Sequence, residues 1–160
     1  MIFVDLDSVV FDFIGKVKRH YKQNWGSEAL STIDNIPHFF RELELLEDAY
    51  DGFNLLHNYC DSKKIPVAIL TALPEPTNLL VTAGWDKLVC VRNKLHPTVP
   101  VFCSAGWKRK THWCAKGDIL VDDMLRNIEA WNAAGGIGIH HTNWNDSLTE
   151  VQQILGARHV

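Results

Sequence analysis

The chain opens with the stretch Met1-Ile2-Phe3-Val4-Asp5-Leu6-Asp7-Ser8, an apolar run that ends in two aspartates one residue apart. The apolar run predicts a short buried strand. Because alternate residues of a strand point the same way, the carboxylates of Asp5 and Asp7 are expected on one side, at the strand's carboxyl end. Charges this close repel each other unless a metal ion or a shared proton neutralises them. Such a pair is costly for stability, and its presence therefore indicates a functional site at which chemistry takes place.

A second acidic pair lies far along the chain, in the stretch Asp118-Ile119-Leu120-Val121-Asp122-Asp123. This short β-branched run also ends in adjacent carboxylates, so it too predicts a strand with acids at its tip. If the two strands were neighbours in a parallel sheet, their acids would form one pocket. Oxygen ligands of this kind suit Mg²⁺.

The composition is that of an ordinary soluble protein. At 160 residues the chain has the size of one domain with a real core. Its net charge of −3 argues against a general nucleic-acid-binding surface, and no apolar stretch approaches membrane-spanning length. The cysteines lack paired CxxC spacing and are expected to be reduced thiols. We therefore expect a cytoplasmic protein with a small-molecule substrate, and we leave open whether it forms a homodimer.

Predicted strands alternate with predicted helices along the chain. The alternation predicts an α/β fold, in which helices cover both faces of a parallel sheet and the site lies beyond the carboxyl ends of the strands. Because residues 9–63 hold no predicted strand, we expect them to form a small helical cap on a core made of 1–8 and 64–160. The strands are expected at 1–6, 66–70, 87–91, 99–103, 118–122 and 137–139. The helices are expected at 9–24, 37–48, 49–63, from Pro74 to about Gly84, 124–134 and 146–156.

Four local signals follow one another in order: Asp5-x-Asp7, then Thr71 after a predicted strand, then Lys108 and Lys110, then Asp122-Asp123. This ordered set resembles that of the haloacid dehalogenase-like phosphatases. Within that group the chain is most similar to the 5′(3′)-deoxyribonucleotidases and their phage and bacterial relatives. The resemblance covers nearly the whole chain, and it implies a three-layer Rossmann-like sheet with a cap and the activity of a phosphomonoester hydrolase.

The resemblance also implies a role for each acid. Asp5 would attack phosphorus and become an aspartyl-phosphate, and Asp7 would protonate the leaving oxygen and later activate water. Mg²⁺ would be held by Asp5, by the backbone carbonyl of Asp7 and by Asp123. Asp122 would then support the site from outside the set of metal ligands.

Phosphate binding is expected from three further residues. The resemblance implies that the Thr71 hydroxyl, the Ala72 amide and a lysine would contact the phosphate. Lys110 fits the spacing best, with Lys108 as the alternative. Two positions depart from the family pattern, which generally has glycine where Ser8 stands and often has a second hydroxyl where Ala72 stands. Losing that hydroxyl removes a donor worth roughly 1 kcal/mol.

The cap is expected to select the substrate, and the resemblance favours a nucleoside monophosphate. Similar positions in the family hold aromatic side chains that stack on the base, which here are Phe13, Phe39 and Phe40. Trp25 and Trp107 are further candidates.

Other interpretations of these residues stay open. Taken singly, either acid pair could cap a helix, the lysines could form a solvated run, and the aromatic residues could belong to the core. The same chemistry could act on a nucleic-acid end phosphate or a sugar phosphate, or the chain could bind phosphate or metal without catalysis. Zinc is not favoured, because the spacing fits no common zinc module; the residues considered for zinc are Cys103, His112, Cys114, His140 and His141.

Overall fold

Five parallel strands form a single sheet in the computed structural model, which describes residues 1–21, 33, 36–75 and 81–157. The strand order is β3-β2-β1-β4-β5, so the first strand of the chain lies at the centre. The parallel sheet with flanking helices confirms the predicted α/β fold. The strands are β1 (Ile2–Val4), β2 (Val67–Leu73), β3 (Val101–Ala105), β4 (Ile119–Asp122) and β5 (Ile137–His140).

The register of the central strands brings the two acidic pairs together. Val4 of β1 is paired with Ile69 of β2 on one side and with Val121 of β4 on the other. The residues that follow Val4 and Val121 are Asp5 and Asp122, and they therefore leave the sheet at the same level. The strands are apolar and buried on both faces, which is why they form the centre of a covered parallel sheet.

Helices cover both faces of the sheet. Successive β1 residues belong to opposite apolar clusters: Ile2 and Val4 lie in the larger one, and Phe3 packs with Trp131 in the smaller one. The helices are α1 (Phe13–Tyr21), α2 (Ala49–Ser62), α3 (Ala83–Cys90), α4 (Leu125–Ala133) and α5 (Trp144–Ala157). Short 3₁₀ helices span Phe39–Glu42 and Trp107–Trp113, and a π-helical turn spans Val91–Leu95.

The strand predicted at 87–91 is wrong. These residues belong to helix α3 and to the π-helical turn that continues it. The run Lys87-Leu88-Val89-Cys90-Val91 has the composition of a strand. Its buried residues Lys87, Cys90 and Val91, however, continue a helical spacing that begins at the buried Ala83. The helix predicted from Pro74 to about Gly84 lies largely outside the described residues, which resume at Val81 and enter helix α3 at Ala83. Because residues 87–91 are helical, the sheet of the described residues has five strands rather than the predicted six.

The expected helix over 37–48 is limited to the short 3₁₀ helix Phe39–Glu42. Helix α2, which was assigned to the cap, packs against α5 and covers the sheet. Gly52 leaves no room for a side chain against the Trp144 ring, and Phe53 meets that ring edge-on at 6.4 Å. This packing favours a cap that ends near Asp48; the division of the chain into core and cap itself stays a prediction.

Within the described ranges, no helix is long and apolar enough to cross a membrane. The cysteines are free thiols, two of them buried and two partly buried: Cys60, Cys90, Cys103 and Cys114.

A buried histidine gives the fold a dependence on pH. Burial, and to a smaller extent the charge of the neighbouring His140, lowers the pKa of His141 to about 4. The His141 ring lies 2.9 Å from Ser147 Oγ through Nδ1 and packs edge-on against Trp144. Since the unfolded chain binds this proton near pH 6.5 and the folded chain only near 4, the unfolded state is favoured as the pH falls through that range.

We expect the free energy of unfolding of the wild type to fall relative to that of His141→Asn by about 2 kcal/mol between pH 7 and pH 4. Urea unfolding at a series of pH values measures the difference. Thr149→Ala is the matched control, because it removes an exposed hydroxyl from the same helix, α5, and leaves the buried ring and its contact with Ser147 in place. A constant difference between wild type and His141→Asn would show that the ring does not stay neutral in the fold.

Candidate active site

A buried lysine bridges the two acidic pairs. Lys110 Nζ lies 2.7 Å from Asp5 Oδ1 and 2.6 Å from Asp122 Oδ2. It comes from the 3₁₀ helix Trp107–Trp113 and is 2% exposed. Asp5 is also buried, and its backbone N–H donates to Val121 O across the sheet at 2.9 Å. The alternative lysine, Lys108, is exposed, and its ammonium lies over the Trp107 ring at 5.6 Å.

The acid cluster carries more negative charge than Lys110 can neutralise. One oxygen from each of Asp5, Asp122 and Asp123 lies within 4.8 Å of the others, and among the described residues this is the one grouping close enough to hold a metal ion. Burial raises the pKa of Asp5 to about 7 and that of Asp123 to about 6, and the charge of Asp122 adds to both. A cluster of hard oxygen atoms with excess charge fits a divalent cation such as Mg²⁺.

The two acids at the end of β4 have different surroundings. Asp122 is fully buried, and both of its oxygens accept hydrogen bonds: Oδ1 from Met124 N and Asn127 Nδ2, and Oδ2 from Lys110 and Asn127 Nδ2. Asp123 is only partly buried and lines a cavity. This geometry favours Asp123 as the metal ligand and Asp122 as the residue that holds Lys110 and Asn127 in place.

A second buried lysine, which the sequence analysis missed, holds Asp7. Lys87 Nζ donates to Asp7 Oδ2 at 2.6 Å, to Thr71 Oγ1 at 2.8 Å and to Ala72 O at 2.8 Å. The lysine is fully buried. The sequence analysis missed Lys87 because it predicts a strand at 87–91, whereas Lys87 lies on one face of helix α3. The spacing Ala83, Lys87, Cys90 is the signal that could have identified it.

The predicted phosphate-binding residues on β2 lie close to Asp7. Thr71 lies within β2 rather than after it, and its side chain is fully buried against Lys87. Ala72 lines the cavity, whereas Thr71 is not among the lining residues. A phosphate in the cavity would therefore contact β2 at Ala72 first, and the Thr71 hydroxyl would lie behind Ala72.

Ser8 adopts the left-handed backbone conformation that glycine tolerates best. Its φ is 65°. The turn that requires this angle is fixed by hydrogen bonds from Ser8 N to Phe11 O at 2.8 Å and from Val10 N to Leu6 O at 3.0 Å. The family's preference for glycine at this position thus has a conformational reason.

We expect Ser8→Gly to raise the free energy of unfolding by about 0.5–1 kcal/mol, because the relieved left-handed strain exceeds the added chain entropy of glycine. Urea unfolding measures the change. Lys64→Gly is the matched control, since Lys64 has φ 58° at the end of α2, away from the acids, and should gain a similar amount. A loss of stability in Ser8→Gly alone would mean that the serine side chain makes a stabilising contact.

A cavity of about 440 Å³ lies over these acids and lysines. Its apolar wall includes Phe13 and Phe40, both from the predicted cap, and their rings are parallel with centroids 5.8 Å apart. They are only 6% and 2% exposed, so little of either ring face is available to a base. Phe39 does not line the cavity but packs edge-on behind both rings, so its position does not support the predicted contact with substrate.

Trp107 contributes the other aromatic surface of the cavity. The Arg126 guanidinium lies over its ring at 4.4 Å, and both residues line the cavity. Trp25, the remaining aromatic candidate, lies outside the described residues.

No family model and no curated protein matches the chain. Solved structures do match it. A hydrolase from Streptococcus pneumoniae TIGR4 is 13% identical, covers 97% of each chain and has a TM-score of 0.47. A D,D-heptose 1,7-bisphosphate phosphatase from Burkholderia thailandensis is 10% identical over 94% of this chain and 96% of its own, with a TM-score of 0.50. At this identity the likeness to the second protein shows a shared fold, the Rossmann-like parallel sheet that the sequence predicts.

Proposed function

We propose that this protein is a Mg²⁺-dependent phosphomonoester hydrolase that acts through an aspartyl-phosphate on Asp5. The observation that carries the proposal is the position of Asp5. It lies buried at the tip of the central strand, forms an ion pair with Lys110, and lines a cavity together with Asp7.

The two aspartates would divide the chemistry between them. An Asp5 oxygen forms a bond to phosphorus while the ester P–O bond breaks, and Asp7 gives its proton to the leaving oxygen. Water then attacks phosphorus, returns a proton to Asp7 and releases the Asp5 carboxylate. Lys110 lies against Asp5 and stabilises the negative charge that builds up there during the reaction. Stabilisation of such charge supplies most of the rate of phosphoryl transfer.

Asp7 has the environment of a proton carrier. Its Oδ2 is held by Lys87, whereas its Oδ1 is buried and has no hydrogen-bond partner among the described residues. A buried oxygen without a partner is costly, and a proton or the attacking water would satisfy it.

The charge of the acid cluster supports a role for Mg²⁺. Asp5, Asp123 and the backbone carbonyl of Asp7 would hold the ion, with Asp122 outside this set. When bound, Mg²⁺ would supply positive charge to the phosphoryl oxygens.

The cavity supports a small substrate with an apolar part. Its volume of about 440 Å³ is within the range of small-molecule sites, roughly 300–1,000 Å³. The cap supplies Phe13, Ile14 and Phe40 to one wall, and the core supplies Trp107. We propose a deoxynucleoside monophosphate as the substrate. We also propose that the cap predicted over 9–63 is provided by its part before α2, residues 9–48, because α2 packs against the core. The free cysteines are typical of a protein of the cytoplasm.

Phosphate release by the purified protein with Mg²⁺ tests the proposal. The panel contains nucleoside 5′- and 3′-monophosphates, sugar phosphates, a 3′-phosphorylated oligonucleotide and 4-nitrophenyl phosphate. We expect the highest kcat/KM on a deoxynucleoside monophosphate. A preference for a sugar phosphate or the oligonucleotide would keep the chemistry and change the substrate. Binding of a phosphate mimic without turnover of any compound would overturn the proposal in favour of a non-catalytic module.

A further inference from the structure

We propose that Lys87 is a positioning residue for Asp7, so that one oxygen of that carboxylate is fixed and the other is reserved for the proton. The inference rests on the proposed phosphomonoesterase function. It gives Lys87, on helix α3, a role in the reaction, although Lys87 belongs to none of the four sequence signals.

The ammonium group of Lys87 is fully used. It has three N–H donors, and it meets three acceptors at 2.6–2.8 Å, namely Asp7 Oδ2, Thr71 Oγ1 and Ala72 O. The Phe40 ring covers the ammonium at 4.7 Å. With every donor engaged, Lys87 would have to give up a bond to contact the substrate, so its geometry is that of a support for Asp7.

The backbone beneath Lys87 is itself held firmly. The preceding residue, Asp86, is 1% exposed and accepts hydrogen bonds from Thr82 Oγ1 at 2.8 Å and from Arg41 Nε at 3.1 Å. Helix α3 is thereby fixed to the 3₁₀ helix that carries Phe40. Adjacent residues of one helix therefore bind the cap on one side and the reacting acid on the other.

The consequence for Asp7 follows from its two oxygens. Oδ2 is held at 2.6 Å by a cation, while Oδ1 is buried and has no partner among the described residues. The proton exchanged with the leaving group and with water is therefore expected on Oδ1. Without Lys87 the carboxylate could rotate, and proton transfer would lose its alignment.

A double-mutant cycle with two leaving groups tests this role. We expect Lys87→Met to lower kcat/KM on a nucleoside monophosphate, whose alkoxide must be protonated as it leaves, by about 10²-fold. The loss on 4-nitrophenyl phosphate should be much smaller, because 4-nitrophenolate leaves without a proton. In an Asp7→Asn background, Lys87→Met should cause little further loss on either compound.

Lys94→Met is the matched control. Lys94 donates to Leu43 O and Glu44 Oε1 outside the cavity, so its removal should leave both rates unchanged. Equal losses of Lys87→Met on both compounds, or losses that add to those of Asp7→Asn, would overturn the positioning role. A raised KM with unchanged kcat in both backgrounds would assign Lys87 to phosphate binding and would also overturn it.

A measurement on the wild-type fold decides the matter if Lys87→Met does not fold. The ¹⁵N signal of the Lys87 ammonium should be protected from exchange with water and should shift in Asp7→Asn. A signal that does not respond to Asp7→Asn would overturn the contact. This measurement needs no turnover, so a protein without phosphatase activity would refute the proposed function while still testing the Lys87–Asp7 contact.

Discussion

Asp5→Asn should abolish phosphate release while the fold stays intact. The amide has nearly the same shape as the carboxylate but is a far weaker nucleophile, so kcat should fall by about 10³-fold or more. The stability should not fall in the same way. Burial raises the pKa of Asp5 to about 7, so the ionised form is disfavoured in the folded protein above its usual pKa near 3.8. A neutral amide removes that cost, and the free energy of unfolding at pH 8 should be maintained or raised.

Phosphate release and urea unfolding, measured on the same preparation, check both parts of this prediction. Asp118→Asn is the control, because Asp118 immediately precedes β4, at the opposite end of that strand from Asp122, and pairs with the chain's amino group at 2.8 Å. It should keep its activity. Near-normal turnover in Asp5→Asn would show that Asp5 is not the nucleophile.

Lys110→Met should cause the largest loss of stability among the site variants. It leaves Asp5 and Asp122 buried without the cation that lies 2.6–2.7 Å from each. Removing one partner of a buried ion pair costs about 3–5 kcal/mol. The loss should grow as the pH rises from 5 to 8, because Asp5 and Asp123 have raised pKa values and the cost of ionising them in the folded state without Lys110 appears over that range. Phosphate release should fall with it.

Urea unfolding at pH 5 and pH 8 measures the effect. The neighbouring exposed lysine provides the control: Lys108→Met should change the free energy of unfolding by no more than about 0.5 kcal/mol. If Lys110→Met were as stable as Lys108→Met at pH 8, Lys110 would not be neutralising the acids, and its assigned role would be wrong.

The sequence predicts the fold well where the residue pattern of a single strand is enough to identify that strand. Continuous apolar runs followed by acids identify β1 and β4 correctly, because a strand buried on both faces needs no information from its partners. The register that pairs Val4 with Val121 then brings Asp5 and Asp122 together, as a parallel arrangement requires.

The rest depends on tertiary contacts that local patterns do not contain. Residues 88–91 are apolar and include two valines, yet they form a helix because Lys87 and Cys90 are buried on one helical face. The burial of Lys87 is stabilised by acceptors from β2 and from Asp7, which lie 15 to 80 residues away in the chain. Likewise, Phe39 and Phe40 are adjacent aromatics, and only their packing shows that Phe40 lines the cavity while Phe39 lies behind it.

The central claim is that phosphate is transferred to Asp5, and a covalent label tests it directly. Asp7→Asn should slow the water step but not the attack of Asp5 on 4-nitrophenyl phosphate, whose leaving group departs without a proton. ³²P-labelled 4-nitrophenyl phosphate added with Mg²⁺ and quenched in acid should therefore leave label on the protein. We expect peptide analysis to place that label on Asp5, with none in the Asp5→Asn/Asp7→Asn double variant. Turnover in the wild type with no labelled protein in Asp7→Asn, or label on a residue other than Asp5, would contradict the claim.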